Sequence, residues 1–228
     1  MLGGVKIILP SKPYIKEPQD SKYGRVLLEN SVELMAEIGF EAFTFKKLAV
    51  KMESSETSIY RYFENKHVLL VYLSSWYWEW LSYLISVYTL NIADPKEKMR
   101  KMIHTLINAE TMYELAPDIN EKLLAEIVRK ESSKSFHIQD VDRENGEGYF
   151  LSYKNLVDKI SIFVLDLDPT FLYPHSHSCS LLEMIRNQRY YAEHLPRLSN
   201  LNYKQSTFLK DLEDMIFFFA TSVILNPN

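Results

Sequence analysis

The part of this sequence best suited to chemistry is a run of hydroxyl, phenol, ammonium and carboxylate side chains between residues 44 and 66. Hydroxyl and carboxylate groups hydrogen-bond to base edges, whereas lysine and tyrosine side chains contact phosphate oxygens. Many such groups in one short stretch therefore predict contact with double-stranded DNA. The predicted DNA contacts are Thr44, Lys46, Lys47, Ser55, Glu56, Thr57, Ser58, Tyr60, Tyr62 and Lys66.

Two short helices are needed to position these side chains, and the sequence predicts both. Thr44 is a good N-cap for a helix over 45–52, and a second helix begins at Ser54 or Ser55. The major groove is about 12 Å wide and admits one helix, which a second helix must brace. The pattern therefore favours a helix-turn-helix, although a plain helical hairpin within a core would give similar spacing.

The second of these helices has a polar start and an apolar inner side. Residues 55–58 lie in its first turn, where contacts with bases and phosphates are usually made. Ile59 and Phe63 are four residues apart, so both are expected to face inward. This separation predicts that the first turn is free to enter a groove.

The remaining polar residues of the stretch are assigned to phosphate. Tyr60 and Tyr62 are expected to project toward the groove flank, where a phenol can bond to phosphate. Lys66 lies in the first turn of the next helix, where charge and backbone N–H groups together bind an anion. Lys46 and Lys47 begin the preceding helix and have the same predicted role.

Residues 26–70 resemble the DNA-binding region of the tetracycline-repressor (TetR) family of bacterial regulators. The matching strings are Ala36-Glu37-Ile38-Gly39-Phe40, Phe43-Thr44-Phe45, Leu48-Ala49, Ser55, Ile59-Tyr60-Arg61-Tyr62-Phe63, Asn65-Lys66 and Leu69-Leu70. The resemblance covers about a fifth of the chain and implies a homodimer, an operator with two half-sites, and release of DNA when a small molecule binds the second domain.

The sequence departs from the family's usual pattern in three features. The turn reads Met52-Glu53-Ser54, Thr57 stands where glycine is common, and Glu56 stands where a basic residue is frequent. These acids leave a second hypothesis open: a helical dimer of this kind that senses a ligand but acts through a protein partner without binding DNA.

The whole chain is predicted to be all-α, with about nine helices. Of 228 residues, 46% are hydrophobic and only 6 are glycine, and apolar residues recur with helical spacing. Residues 1–21 are predicted to be a flexible arm, 22–67 the three-helix DNA-binding domain, and 68–228 a larger helical ligand-binding and dimerisation domain. A surface loop is predicted over 132–147, and a capping box at Ser180 is expected to begin the penultimate helix.

Aromatic residues of the second domain are candidates for a ligand cavity, since the resemblance places the ligand among these helices. Packing within the core is the alternative interpretation. The predicted ligand contacts are Trp76, Trp80, Tyr83, Met112, Tyr113, Phe150, Tyr153 and Phe163.

The last two helices resemble the pair through which the family dimerises, and their apolar faces suit a four-helix interface. The predicted interface residues are Leu181, Leu182, Ile185, Tyr190, Leu212, Met215, Ile216 and Phe219.

Other function classes receive little support from the sequence. The net charge is −4, with 10 Lys and Arg against 9 Asp and Glu in residues 1–67, so DNA binding would depend on local placement of charge. No metal, cofactor or catalytic residue is assigned. The cluster from His175 to Cys179 is expected to be loop surface, and Glu64 with His67 gives a single copy of a di-iron spacing. One cysteine and no membrane-length apolar run favour the cytoplasm.

Overall fold

Every regular element in the described part of the chain is helical, which confirms the all-α prediction. The structure is a computed structural model, and it describes residues 6–112 and 119–225. The helices are α1 Lys22–Ala42, α2 Phe45–Lys51, α3 Glu56–Tyr60, α4 Lys66–Tyr88, α5 Pro95–Met112, α6 Glu121–Glu131, α7 Ser133–Phe136, α8 Val141–Gly146, α9 Leu151–Leu167, α10 Pro174–His194 and α11 Phe208–Leu225. None of these described helices is both long enough and apolar enough to cross a membrane.

The described residues form eleven helices where the sequence predicted about nine. The two additional helices, α7 and α8, occupy the segment expected to be a surface loop. Polar side chains are buried there, since Ser135 and Glu144 are only 5% and 4% exposed. Glu144 is bound by the imidazole of His67, whose Nε2 lies 2.9 Å from a carboxylate oxygen. The prediction of a surface loop over 132–147 is therefore wrong, because it was based only on the polarity of the segment.

Helix α10 begins six residues before the predicted capping box. Pro174 occupies its first turn, where the fixed φ of proline suits a helix start. Ser180 lies inside the helix and its hydroxyl donates to the carbonyl of Ser176 at 2.8 Å. The start of α5 has a side-chain cap, because the Asp94 carboxylate accepts the backbone N–H of Glu97 at 2.7 Å.

The chain divides into two compact units. The first contains the described residues up to Trp80 and those from 119 to Tyr153, and the second contains Leu81–Met112 and the described residues from Lys154 onward. These units are defined by contacts within the chain, and the boundaries of the DNA-binding and ligand-binding domains given from the sequence stay predictions.

The core of the first unit is formed by the apolar sides of α1 to α4. Helix α1 buries the apolar residues of one side, and Leu27, Leu28 and Val32 on that side are fully buried. Leu48 of α2 and Ile59 of α3 are also fully buried, and α1 packs against α2 and α6. The two short helices are thus fixed by packing, since helices of this length are marginal alone.

The segment before α1 packs onto the first unit rather than forming the flexible arm that was predicted. Ile7 and Leu9 are 6% and 8% exposed. The Gln19 side-chain amide donates to the carbonyl of Ile7 at 2.8 Å, and the backbone N–H of Ile15 donates to the carbonyl of Tyr62 at 2.8 Å. Residues 6–21 are therefore a strap, and residues 1–5 lie outside the described part of the chain.

The second unit is organised around α11, which packs against α5 and α10. Leu212 and Ile216 of α11 are fully buried, as is Met102 of α5. At the rim, the guanidinium of Arg100 lies 3.0 Å from Asp214. Apolar packing with a charged rim is the expected arrangement for amphipathic helices.

The first prediction concerns Gly24, where α1 passes close to the strap. A Cβ at this position would lie 2.2 Å from the carbonyl oxygen of Pro18, and backbone atoms cannot yield as a flexible side chain does. We expect Gly24→Ala to lower the free energy of unfolding by about 1–3 kcal/mol, as over-packing does. Urea denaturation measures this effect.

Gly146→Ala is the matched control, because nothing lies within 4 Å of a Cβ at that helical position. It should be neutral or stabilise by up to about 1 kcal/mol. Equal losses for the two variants would show that the contact with Pro18 does not restrict residue 24.

Candidate nucleic-acid interface

The turn between α2 and α3 is a Schellman motif with an acidic residue at its left-handed position. The N–H of Ser54 donates to the carbonyl of Ala49 at 2.9 Å, and the N–H of Glu53 donates to Val50 at 3.2 Å. Glu53 has φ 48°, a conformation that glycine adopts more easily than other residues. The unusual turn sequence therefore keeps the geometry of a glycine turn at a cost in strain.

Hydroxyl caps fix the starts of both helices. The Thr44 hydroxyl accepts the backbone N–H of Lys47 at 3.2 Å. The Ser55 hydroxyl accepts the backbone N–H of Ser58 at 3.2 Å and lies 2.9 Å from the Ser58 hydroxyl. Both predicted caps are confirmed, and Ser55 is the one of the two candidate serines that begins α3.

The first turn of α3 presents a polar surface to solvent. Ser55 and Thr57 are exposed, Glu56 and Ser58 are half-buried, and Ile59 is fully buried behind them. Four short polar side chains on one exposed turn offer both donors and acceptors to the edges of bases. This face matches the geometry required of a recognition helix.

Tyr60 and Tyr62 have opposite environments. Tyr60 is 47% exposed. Its ring packs edge to face with the ring of Phe45, and the two ring centroids lie 5.1 Å apart. Tyr62 is 5% exposed, and its hydroxyl lies 2.8 Å from that of Ser21. The expectation that Tyr62 projects toward a groove is therefore wrong: α3 ends at Tyr60, so helical spacing does not govern the next residues.

Lys66 also faces inward, contrary to its predicted phosphate role. Its ammonium donates to the backbone carbonyls of Phe40, Glu41 and Phe43 at 3.0, 3.1 and 3.2 Å. A lysine has three N–H donors, so all are used. The end of α1 leaves carbonyls without helical partners, and this ammonium satisfies them.

The other predicted basic contacts remain on the surface. Lys46 and Lys47 are exposed, although the Lys47 ammonium also donates to the carbonyl of Ala42 at 2.8 Å. Arg61, which the sequence reasoning did not assign, is exposed beside Tyr60 and forms the C-cap of α3. Its position directly after the exposed phenol is the signal that could have identified it.

The predicted ligand-contact residues do not form one group. Trp76 and Trp80 are buried in the first unit with stacked rings 6.4 Å apart, whereas Tyr83 is 41% exposed. Tyr83 therefore does not belong to the buried side of α4 that carries the two tryptophans. Tyr113 and the side chain of Met112 lie outside the described residues.

A second aromatic cluster in the first unit includes two of the predicted residues. Tyr153 stacks on Phe136 at 6.2 Å, and Phe150 meets Phe136 at 6.4 Å. Tyr153 also lies 5.3 Å from Trp78. Phe163 belongs to the second unit, where it is buried.

The predicted dimer residues divide by exposure. Within a single chain Leu181, Leu182, Leu212 and Ile216 are buried, and Ile185 and Met215 are half-buried. Tyr190 and Phe219 are 44% and 46% exposed. The sequence reasoning did not assign Phe218, which is 62% exposed.

The cluster from His175 to Cys179 lies in α10 and not in a loop. His177 is close to the carbonyl of Ala220, with Nε2 at 3.0 Å, and burial lowers the pKa of its imidazole. His175 instead approaches Asp158 at 3.2 Å on the surface. Among the described residues, no three His, Cys, Asp or Glu side chains are grouped so that they could hold a metal ion.

A helix-turn-helix whose second helix presents an exposed polar first turn is characteristic of helix-turn-helix DNA-binding proteins. Residues 27–73 match the family model described as bacterial regulatory proteins, tetR family. This match confirms the resemblance drawn from the sequence: residues 27–73 form a DNA-binding region of the tetR-family type.

Solved structures share the fold at low sequence identity. A protein of Syntrophomonas wolfei str. Goettingen, described as a TetR-family transcriptional regulator, is 15% identical with a TM-score of 0.60, over 90% of this chain and 95% of its own. AibR in complex with isovaleryl coenzyme A and operator DNA is 14% identical with a TM-score of 0.58, over 85% and 96%. The fatty acid degradation regulator FadR from Bacillus halodurans is 15% identical with a TM-score of 0.55, over 89% and 96%. No curated protein sequence matches this chain.

The second prediction tests the strained turn. Glu53→Gly should raise the free energy of unfolding by about 1 kcal/mol. The left-handed conformation costs a non-glycine residue about 1–2 kcal/mol, and glycine removes this cost. Part of the gain is offset because glycine increases the conformational entropy of the unfolded chain. Thermal unfolding measures the gain. Glu53→Gln keeps the strain and removes only the charge, so a comparable gain in that variant would assign the effect to charge.

The third prediction tests the inward position of Lys66. Lys66→Met should lower the free energy of unfolding by about 1–3 kcal/mol, because it leaves backbone acceptors unpaired. Lys46→Met, on an exposed side chain, should leave stability unchanged. If Lys66→Met instead preserved stability and weakened binding to bulk DNA, the ammonium would be a phosphate ligand after all.

Proposed function

We propose that this protein is a cytoplasmic, homodimeric repressor that binds a near-palindromic operator and releases it when a small molecule binds. The exposed polar first turn of α3, within the region that matches the family model, is the observation that carries the proposal. The activity is regulatory and not enzymatic.

In this proposal, contacts divide between bases and phosphates. Residues 55–58 read base edges, and Glu56 is suited to accept from the amino group of cytosine. Phosphates of the DNA backbone are contacted by Thr44, Lys46, Lys47 and Tyr60, and these contacts set the position of α3 along the DNA. Phosphate contacts of this kind add affinity without sequence preference.

The proposal of a homodimer is supported by exposed apolar side chains at the end of the chain. Phe218, Phe219 and Val223 of α11 are 62%, 46% and 55% exposed. Contiguous apolar surface of this kind is typical of an interface. A two-fold dimer would place two copies of α3 on half-sites about 34 Å apart, one turn of DNA.

A ligand site is proposed around the paired indoles of the first unit. Trp76 and Trp80 are fully or almost fully buried, and no described residue accepts a hydrogen bond from either indole N–H. Buried donors normally have partners, so a ligand with acceptor oxygens and an apolar body would suit these groups. AibR, which shares the fold, was solved with isovaleryl coenzyme A, and this supports acyl compounds as the first ligands to test.

A second candidate function is regulation through a protein partner without DNA. Two acids beside the reading face favour it, since Glu53 is exposed and Glu56 lies in the first turn of α3. Such charges repel phosphate, although a carboxylate at a helix N-terminus is itself stabilised.

The fourth prediction separates base reading from phosphate binding. The full-length protein should retard fragments of its own promoter region in low salt, and Thr57→Ala should change the sequences selected from a random duplex library. Lys46→Gln should weaken binding to all duplexes alike. Absence of any retarded DNA would favour the protein-partner hypothesis, and identical behaviour of the two variants would refute the assignment of α3.

The fifth prediction tests the ligand site. All three tryptophans of the chain, Trp76, Trp78 and Trp80, lie on one helix, so intrinsic fluorescence reports on this region. Isovaleryl coenzyme A and free fatty acids should change the emission and release bound DNA. Trp76→Phe should weaken such binding about fivefold, the effect of one hydrogen bond.

Trp78→Phe is the control for this titration, because Trp78 is half-buried and its indole N–H is not among the unpartnered groups. Equal loss of affinity in both variants would mean that ring packing, and not the indole N–H of Trp76, holds the ligand.

A further inference from the structure

Half of the basic side chains in the first 67 residues already have partners within the protein. The first 67 residues contain ten Lys and Arg. The engaged five are Lys6 with Asp20, Arg25 with the carbonyl of Gln19, Lys47 with that of Ala42, Lys51 with Glu33, and Lys66 with three carbonyls. The other five are Lys12, Lys16, Lys22, Lys46 and Arg61, all exposed and without a carboxylate partner in the described chain.

Three of these five residues lie on the segments that surround Tyr62 in the chain or contact it. The ammonium of Lys16 lies 5.4 Å from the centroid of this ring. Lys22 directly follows Ser21, whose hydroxyl lies 2.8 Å from that of Tyr62. Arg61 precedes Tyr62 in the chain. Three separate segments, the strap, the start of α1 and the end of α3, thus each carry one exposed cation either in contact with Tyr62 or next in sequence to a residue of the Ser21–Tyr62 contact.

The ring of Tyr62 is held firmly enough to position these charges. Its backbone carbonyl accepts the N–H of Ile15 at 2.8 Å, which fixes the strap next to Lys16. Tyr23 stacks on it at 5.7 Å, and the Tyr23 hydroxyl lies 2.8 Å from that of Ser54 in the turn before α3. The cluster is therefore connected directly to the recognition helix.

The acids closest in sequence to the lysines are occupied elsewhere. Glu17 accepts from the hydroxyl of Tyr72 at 2.8 Å and from the backbone N–H of Gln19 at 3.1 Å. Asp20 forms the ion pair with Lys6. No ion pair in the described chain therefore joins Lys16 or Lys22 to the acids beside them in sequence.

We infer that Lys16, Lys22 and Arg61 form a phosphate-binding cluster that extends the DNA-binding surface beyond α3. Tyr62 is its positioning residue, and the strap is part of the DNA-binding domain. This inference rests on the proposed function, since the bound group is a phosphodiester of operator DNA flanking the bases that α3 reads. Arginine can grip a phosphate with two N–H groups, whereas the two lysines act as point charges.

The test measures the salt dependence of binding to a short nonspecific duplex and to the promoter fragment. Each lost phosphate contact should lower the slope of log K against log salt by about 0.9. Lys16→Gln, Lys22→Gln and Arg61→Gln should each show this change, and the triple variant should lose about 2.7. The losses should be similar on both DNAs, because phosphate contacts carry no sequence preference.

Lys96→Gln is the matched control, since it removes one exposed positive charge from α5 in the second unit. It should leave the slope unchanged. An equal fall in the slope for Lys96→Gln would attribute the effect to net charge and overturn the cluster.

The positioning role of Tyr62 is tested without changing any charge. Tyr62→Leu removes the ring below Lys16 and should lower the salt slope by about 0.9, as if one contact were lost. Tyr62→Phe keeps the ring and should restore most of the slope. Should Tyr62→Leu fail to fold, the three variants of exposed residues still decide the inference.

Two results would overturn the inference in distinguishable ways. If the wild-type protein binds neither DNA, the proposed function fails and the cluster fails with it. If the wild-type protein binds with a salt-dependent affinity that the triple variant retains, DNA binding stands and the cluster is refuted.

Discussion

The three hydrogen bonds from Lys66 to the carbonyls at the end of α1 are the contact on which the DNA-binding surface depends. Gly39, with φ 76°, interrupts α1, so the last carbonyls of that helix lack regular helical partners. One ammonium from the first turn of α4 satisfies three of them. Because a buried acceptor left unpaired costs free energy, this contact fixes the end of α1 relative to the start of α4. Helix α2 begins two residues after Phe43, and its position follows from that constraint.

The electrostatics of the surface follow from placement and not from total charge. The described N-terminal region is nearly neutral, yet internal partners engage half of its basic groups and two of its acids near the strap. The exposed charges of this region include unpaired cations such as Lys46 and Arg61 and also acids such as Glu53 and Glu64. A surface of mixed sign binds a polyanion only where the cations are held in register with phosphates, so geometry decides the affinity.

Local signals in the sequence predicted local features well. The caps at Thr44 and Ser55, and the inward position of Ile59, depend on neighbours within four residues. The positions of Tyr62 and Lys66 depend on partners 41 and up to 26 residues away, which no short pattern contains. Segment 132–147 was misread for a related reason: its polar Glu144 is buried by His67, 77 residues distant.

The strap has a consequence for the order of folding. The turn between α2 and α3 closes over a few residues at little entropic cost, whereas the strap reaches the end of α3 across a longer separation, from Ile15 to Tyr62. We therefore expect the three helices to associate first and the strap to dock late. A chain between these steps would have its recognition helix in place while Lys16 of the strap was not yet held beside Tyr62, so base contacts and the strap's contact with the DNA backbone would become possible at different times.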